Sequence, residues 1–137
     1  MRWEHFRHGA DIGVRGIGVT QSEAFEQIGL ALTTVIADLA SVRTDTPIQI
    51  RCEAPDGELL LVDWLNALIY EMATRAMLLG RFAVTIRDHS LEATAWGEPL
   101  DRERHKPAVE VKGATYAELQ VGQRADGTWL AQCVVDV

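Results

Sequence analysis

Two stretches of helical period sit inside a chain that otherwise alternates between apolar and polar residues, and this mixture narrows the fold more than any other feature. From Thr20 to about Leu39, Phe25, Ile28, Leu32, Val35, Ile36 and Leu39 recur at three- and four-residue steps and draw one apolar stripe. Thr20 and Glu23 have the spacing of a capping box, in which each side chain satisfies an amide that the first helical turn leaves free. From about Glu58 to Leu79, Leu61, Trp64, Leu65, Leu68, Ile69, Met72 and Ala76 form a wider stripe, and Gly80 is the expected helix stop.

The remainder reads as strands. Ile48, Ile50 and Cys52 alternate with Gln49 and Arg51, and Phe82, Val84 and Ile86 repeat the pattern, as do Leu91, Ala93 and Ala95. Such a period of two marks strands with one buried face. Near the end, "ATYAELQVGQ" and "WLAQCVVDV" are separated by Asp126-Gly127, a hairpin signal because glycine tolerates the positive φ of a tight turn. A strand pair at about Trp3 to Arg7 and Val14 to Val19 flanks "HGADIG". The order is strand, strand, helix, strand, helix, then several strands. It predicts an α+β fold with both helices packed on a largely antiparallel or mixed β-sheet.

The length of 137 residues implies a single domain over residues 1–137. With 20 acidic against 13 basic residues the net charge is −7, which suits a basic partner surface or a cation and disfavours a stand-alone nucleic-acid binder. Arg2, Glu4, His5, Arg7 and His8 stand where a secretory signal needs an apolar core, and no apolar run is long enough to span a membrane. The expectation is a soluble cytoplasmic protein whose Cys52 and Cys133 are free, buried thiols.

No G-x-S-x-G elbow, P-loop lysine or H-E-x-x-H helix is present, so covalent chemistry by this chain alone has no positive support. A cation site is better supported. Asp11 lies between two predicted strands, with Gly9 and Gly13 leaving room for a ligand, and Asp136 is penultimate, beside the free carboxylate of Val137. Hard cations such as Mg²⁺, Ca²⁺ or Mn²⁺ take several such oxygens. Read by spacing alone, the same residues also describe a turn aspartate and a solvated C-terminus. His8 reads as a ligand or proton shuttle, or, by the commoner pattern, as an exposed or capping residue beside the turn. "GEPLDRERHKPA", Gly97 to Ala108, is the one long polar loop and carries Glu98, Asp101, His105 and Lys106, with Lys112 just beyond. It reads either as a functional surface or as a solvated connection.

Four blocks resemble the archease family. "HGADIG" matches its H-x-A-D-[IV]-G motif and "LLLVDWLNALIYEM" its L-L-x-x-W-L-N-x-L-[IL]-Y stretch. "ATAWGEPLDRERHKPAVEVKGATYAELQV" matches its A-x-G-E-x-x-D-x-x-x-H segment with the E-V-K-x-x-T-Y that follows, and "VVDV" its hydrophobic-D-I ending. The blocks keep the family's order from about Glu4 to Val137.

The resemblance implies a non-enzymatic protein cofactor of the RtcB-type RNA ligase, which joins 3′-phosphate or 2′,3′-cyclic phosphate ends to a 5′-hydroxyl using GTP and Mn²⁺. The cofactor promotes guanylylation and multiple turnover of the ligase in tRNA splicing and RNA repair, and meets RNA only through it. A chaperone-like modulator of RNA-modifying enzymes, such as a tRNA methyltransferase, is an alternative implied by the same likeness. A metal-dependent phosphohydrolase is the alternative that the carboxylates and His8 suggest. The family's strand–helix–strand–strand modules agree with the element order.

Carried over by position, its divalent-metal site (Ca²⁺, Mg²⁺ or Mn²⁺) falls on Asp11, Asp136 and Val137. Its other polar positions fall on His8, Glu98, Asp101, His105 and Lys112, expected as partner contacts. Gly9 replaces a frequent threonine, Leu100 a frequent aromatic and Val137 the usual isoleucine; the last is neutral if the ligand is a main-chain carboxylate.

Overall fold

The computed structural model describes residues Met1–Val137. Strands β1 (Arg2–His8) and β2 (Asp11–Gly18) form a hairpin that pairs His8 with Asp11 across the two-residue loop Gly9-Ala10. Gly9 adopts φ +59, the positive value that the first loop position of a type II′ turn requires. Gly9 is therefore demanded by the turn, and Gly13 by packing: a Cβ there would lie 2.3 Å from the ring of Phe6, its cross-strand partner.

Helix α1 (Gln21–Ile36) starts where the cap was expected. Thr20 Oγ1 accepts the Glu23 amide at 3.1 Å, but Glu23 reaches one residue further back than a capping box, accepting the Val19 amide at 2.6 Å. Phe25, Ile28, Leu32 and Val35 are buried as the stripe predicts, while Leu39 falls in a separate turn of 3₁₀ helix, Leu39–Ser41. After β3 (Thr46–Glu53), helix α2 (Gly57–Arg75) is capped by Asp56, whose carboxylate accepts the Leu59 amide at 2.8 Å. Its Trp64 is a core residue: Nε1 donates to the Phe25 carbonyl at 3.0 Å, and the ring meets Phe82 edge-on at 5.9 Å.

Helix α2 stops earlier than the sequence suggests. Ala76 takes the left-handed conformation (φ 50) and the chain passes directly into β4 (Met77–Arg87). Gly80 lies inside that strand, at a register shift between Leu79 and Arg81, and is not a helix cap. A short apolar run such as Met77-Leu78-Leu79 continues a helical stripe and starts a buried strand equally well, so periodicity could not separate them.

The α+β class holds, with the strands divided between two antiparallel sheets. One runs β3-β5-β4, where β5 is Ser90–Pro99. The other runs β1-β2-β8-β6, with β6 (Gly113–Ala114), β7 (Gln120–Gln123) and β8 (Trp129–Asp136); β7 also pairs with β8. The run "ATYAELQVGQ" is thus two short strands and not one. Glu118 has φ 55 and Tyr116 is exposed between them, and each strand covers a different stretch of the same edge of β8. Asp126-Gly127 does turn the β7–β8 hairpin, in a loop closed by the Arg124 amide on the Thr128 carbonyl at 2.7 Å. Helix α1 touches β1, β2 and β8 of one sheet and β4 of the other, while α2 touches β3, β4 and β5 as well as β6 and β7. Both helices bridge the sheets.

A Cβ on Gly16 would lie 2.2 Å from the Ala24 carbonyl oxygen and 2.4 Å from the Ile28 nitrogen, both in the α1 backbone. Gly16→Ala is expected to destabilise the protein by about 3 kcal/mol, read as a lowered urea midpoint, because neither backbone can yield. The opposite sign is expected at the β4–β5 turn, where Asp88 (φ 48) and His89 (φ 66) both hold positive φ without being glycine. His89→Gly should stabilise by about 0.5–1 kcal/mol in the same titration.

Candidate functional site

The β2–β8 register pairs Ile12 with Val135, so one further step sets Asp11 opposite Asp136 at the end of the two strands. The β1–β2 register sets His8 opposite Asp11 in turn. Cross-strand partners point to the same face, so His8, Asp11 and Asp136 form one row across three neighbouring strands. The site is a product of register: a slip of one residue would send these side chains to opposite faces. His8 and Asp136 are exposed, and Asp11 and Val137 are half-buried.

No basic group comes within ion-pairing distance of Asp11, Asp136 or the Val137 carboxylate. Carboxylates without a basic partner leave that place open to a cation. No group of three or more His, Cys, Asp or Glu side chains gathers closely enough to hold a metal by itself. A cation at this end would draw side-chain oxygens from the two aspartates, and its other donors from the terminal carboxylate, main-chain carbonyls and water. That donor set is all oxygen and fits a hard cation.

The polar segment after β5 is built differently from a solvated connection. Glu98 and His105 are buried, at 7% and 4% exposure, so neither is presented as a contact surface. Glu98 is the centre of a knot: Oε2 accepts the Arg43 amide at 2.6 Å and His105 Nε2 at 2.9 Å, and Oε1 pairs with the Arg104 guanidinium. His105 Nδ1 accepts the Asp101 amide at 2.9 Å, leaving Nε2 as the nitrogen that donates to Glu98. Asp101 caps the four-residue helix α3 (Arg102–His105), accepting the amides of Glu103 and Arg104. Arg104 also reaches the Ser41 carbonyl at 2.5 Å. Glu98 and Arg104 therefore hold this segment to the 41–43 turn, with His105 bonded to Glu98 and Asp101 capping the short helix. Of the polar positions expected as contacts, His8, Asp101 and Lys112 are exposed, and Lys112 donates its amide to the Asp136 carbonyl at 2.8 Å.

Two organising residues escaped the sequence reading. Arg104 stands inside the quoted loop without a role, and nothing local distinguishes it from its neighbours. Asn66 stood inside the quoted α2 block without a role; its Oδ1 accepts the Ala114 amide at 2.9 Å. Both thiols are held towards the protonated form. Burial pushes Cys133 up to about 12, and burial together with the Asp63 charge pushes Cys52 up to about 11. A cleft of about 510 Å³ between the ends of the two long helices and residues 107–111 is mostly apolar, with Arg102 and Glu110 its charged members.

The Arg104 hydrogen bond, supported by the Arg43 amide and His105 against the opposing effect of burial, holds the Glu98 carboxyl at about 2. A folded-state value below the unfolded one adds stability above the unfolded value, near 4.5, and loses it as pH falls towards 2. Glu98→Ala should cost about 3 kcal/mol at neutral pH, because it orphans the groups that Glu98 binds. The gap from wild type should narrow as acid unfolding is followed from about pH 4.5 down to pH 2.

The archease protein family matches residues 3–137. An archease from Pyrococcus furiosus is 39% identical over 140 aligned positions, covering 99% of both chains, and one from Methanosarcina barkeri is 38% identical over 141, covering 99% of this chain and 96% of its own. Among solved structures, the solution structure of protein 1598 from Methanobacterium thermoautotrophicum superposes with a TM-score of 0.84 at 29% identity, covering 98% of each chain. An archease from Thermotoga maritima, described as a possible chaperone, shares the fold at a TM-score of 0.59 and 18% identity, covering 100% of this chain and 98% of its own. The sequence blocks, the order of elements and these likenesses agree, and the chain belongs to the archease family.

Proposed function

We propose that this protein is a non-enzymatic cofactor of an RtcB-type RNA ligase, promoting its guanylylation and multiple turnover through a divalent cation held at the Asp11–Asp136 end. The observation that carries the reading is the Ile12–Val135 pair, which brings Asp11 and Asp136 to the same end of two adjacent strands of an archease domain, where neither makes an ion pair. In this reading Asp11 and Asp136 supply side-chain oxygens from two adjacent strands, and Val137, next in the chain after Asp136, adds its main-chain carboxylate. A cation held there supplies positive charge for phosphate and carboxylate oxygens in the partner's active site. The acidic surface, part of a net charge of −7, favours approach to the basic mouth that an RNA-joining enzyme needs for its own substrate. RNA is met through the ligase, and no helix is long and apolar enough to cross a membrane.

The high thiol values and the buried Glu98–His105 knot leave this chain without an evident nucleophile of its own, which favours a partner's chemistry. The test is ligase guanylylation under multiple-turnover conditions with wild type, Asp11→Ala and Asp136→Ala. Each variant is expected to lose stimulation by about tenfold or more while keeping the wild-type melting temperature, since neither aspartate makes an ion pair in the fold. Full stimulation by both variants would overturn cation delivery. Phosphoester turnover without ligase, abolished by Asp11→Ala, would make the protein a hydrolase instead.

A further inference from the structure

We propose that Asn66 of α2 is a positioning residue for the carboxylate end of β8, acting through the two-residue strand β6; the inference rests on the cation reading above. Strand β6 is the neighbour of Asp136, with Gly113 paired to Asp136 and Ala114 to Val135. Its bonds towards β8 come from the flanking amides, Lys112 to the Asp136 carbonyl at 2.8 Å and Thr115 to the Val134 carbonyl at 2.9 Å. The Ala114 amide takes its partner from α2 instead, where Asn66 Oδ1 accepts it at 2.9 Å. A Cβ on Gly113 would stand 3.6 Å from that same oxygen, so the carboxamide lies against the free edge of β6.

Two residues of pairing hold a strand weakly, and an unsatisfied edge amide invites water and fraying. Helix α2, by contrast, is fixed by the fully buried Trp64, Leu65 and Leu68 on either side of Asn66 in sequence. Asn66 therefore extends a rigid helix to the strand whose Gly113 is paired with Asp136. The chain of contacts runs from Asn66 to the Ala114 amide, along β6, and through the Gly113–Asp136 pair to the last residues of β8. Loss of the carboxamide leaves the core intact and frees β6, so the ligand oxygens of Asp136 and Val137 sample more positions and hold a cation less well.

The experiment is a Mn²⁺ titration of the full chain, following free Mn²⁺ by electron paramagnetic resonance, for wild type, Asn66→Ala, Asn66→Asp and Asp136→Ala, with amide hydrogen exchange on the same proteins. Asn66→Ala is expected to weaken Mn²⁺ binding about fivefold or more and to remove protection from the Ala114 amide, while α1 amides stay protected. Asn66→Asp keeps an acceptor oxygen in place and should restore both readings. Wild-type affinity in Asn66→Ala, alongside lost binding in Asp136→Ala, would overturn the positioning role and leave the cation reading standing. Protection lost throughout α1 in Asn66→Ala, or no rescue by Asn66→Asp, would also overturn it. Equal or absent binding in wild type and Asp136→Ala would overturn the cation reading and this inference with it.

Discussion

Everything in this molecule depends on how closely helix α1 can approach the two sheets it joins. On one side its backbone rests on β2, where Gly16 and Gly18 leave no Cβ between sheet and helix; at Gly18 an added Cβ would lie 2.6 Å from the Ala24 nitrogen. On the other side Gly29 of the helix itself receives the Phe82 ring of β4, which a Cβ would meet at 3.0 Å. The helix is thus thin at both contacts. Polar groups then lock the arrangement: the buried Thr33 hydroxyl donates to the Leu79 carbonyl at 2.6 Å, and Trp64 Nε1 reaches the Phe25 carbonyl. These bonds are made in a dry interior, where an unmet partner is costly.

From that seat follows the position of β8 and hence of the candidate site. Strand β8 pairs with β2 along its length and turns its inner residues, Ala131, Cys133 and Val135, into the same core as α1. With both faces of β8 buried from Leu130 to Val135, its register on β2 is held by packing, and Asp11 and Asp136 follow directly on the Ile12–Val135 pair. The chemistry at the surface is therefore set by apolar packing several residues away. The Glu98 knot has a comparable role on the far side of the sequence, converting a charged run into a clamp that ties α3 to the 41–43 turn.

The helices, most of the strands and the two turns that carry glycine were legible in the residues because periodicity, caps and turn glycines are local properties, whereas the Asp88-His89 turn carries no such signal. The stripe through Phe25, Ile28 and Leu32 and the alternation through Ile48 and Ile50 each name a buried face without reference to anything distant. Where two local readings coincide, legibility ends. Met77-Leu78-Leu79 continues a helical stripe and starts a strand equally well, and it is the left-handed Ala76 that decides. "ATYAELQVGQ" alternates convincingly but bends at Glu118, because two short strands cover the edge of β8 better than one. The polar run Gly97 to Ala108 has the composition of a loop, and nothing in it announces that Glu98 and His105 face each other in the interior.

By itself the sequence determined the α+β class, the inventory of elements, the family, and the presence of acids at both ends of the chain. Those depend on neighbours in sequence or on the pattern as a whole. Only the tertiary structure decided that the strands split into two sheets bridged by the helices, and that Asp11 stands across from Asp136. It also decided that Asn66 holds β6 while Glu98 is buried among its partners. The physical reason is that register and side-chain pairing between distant segments come from packing the whole core at once, and no local pattern encodes which strand edge a given residue will meet.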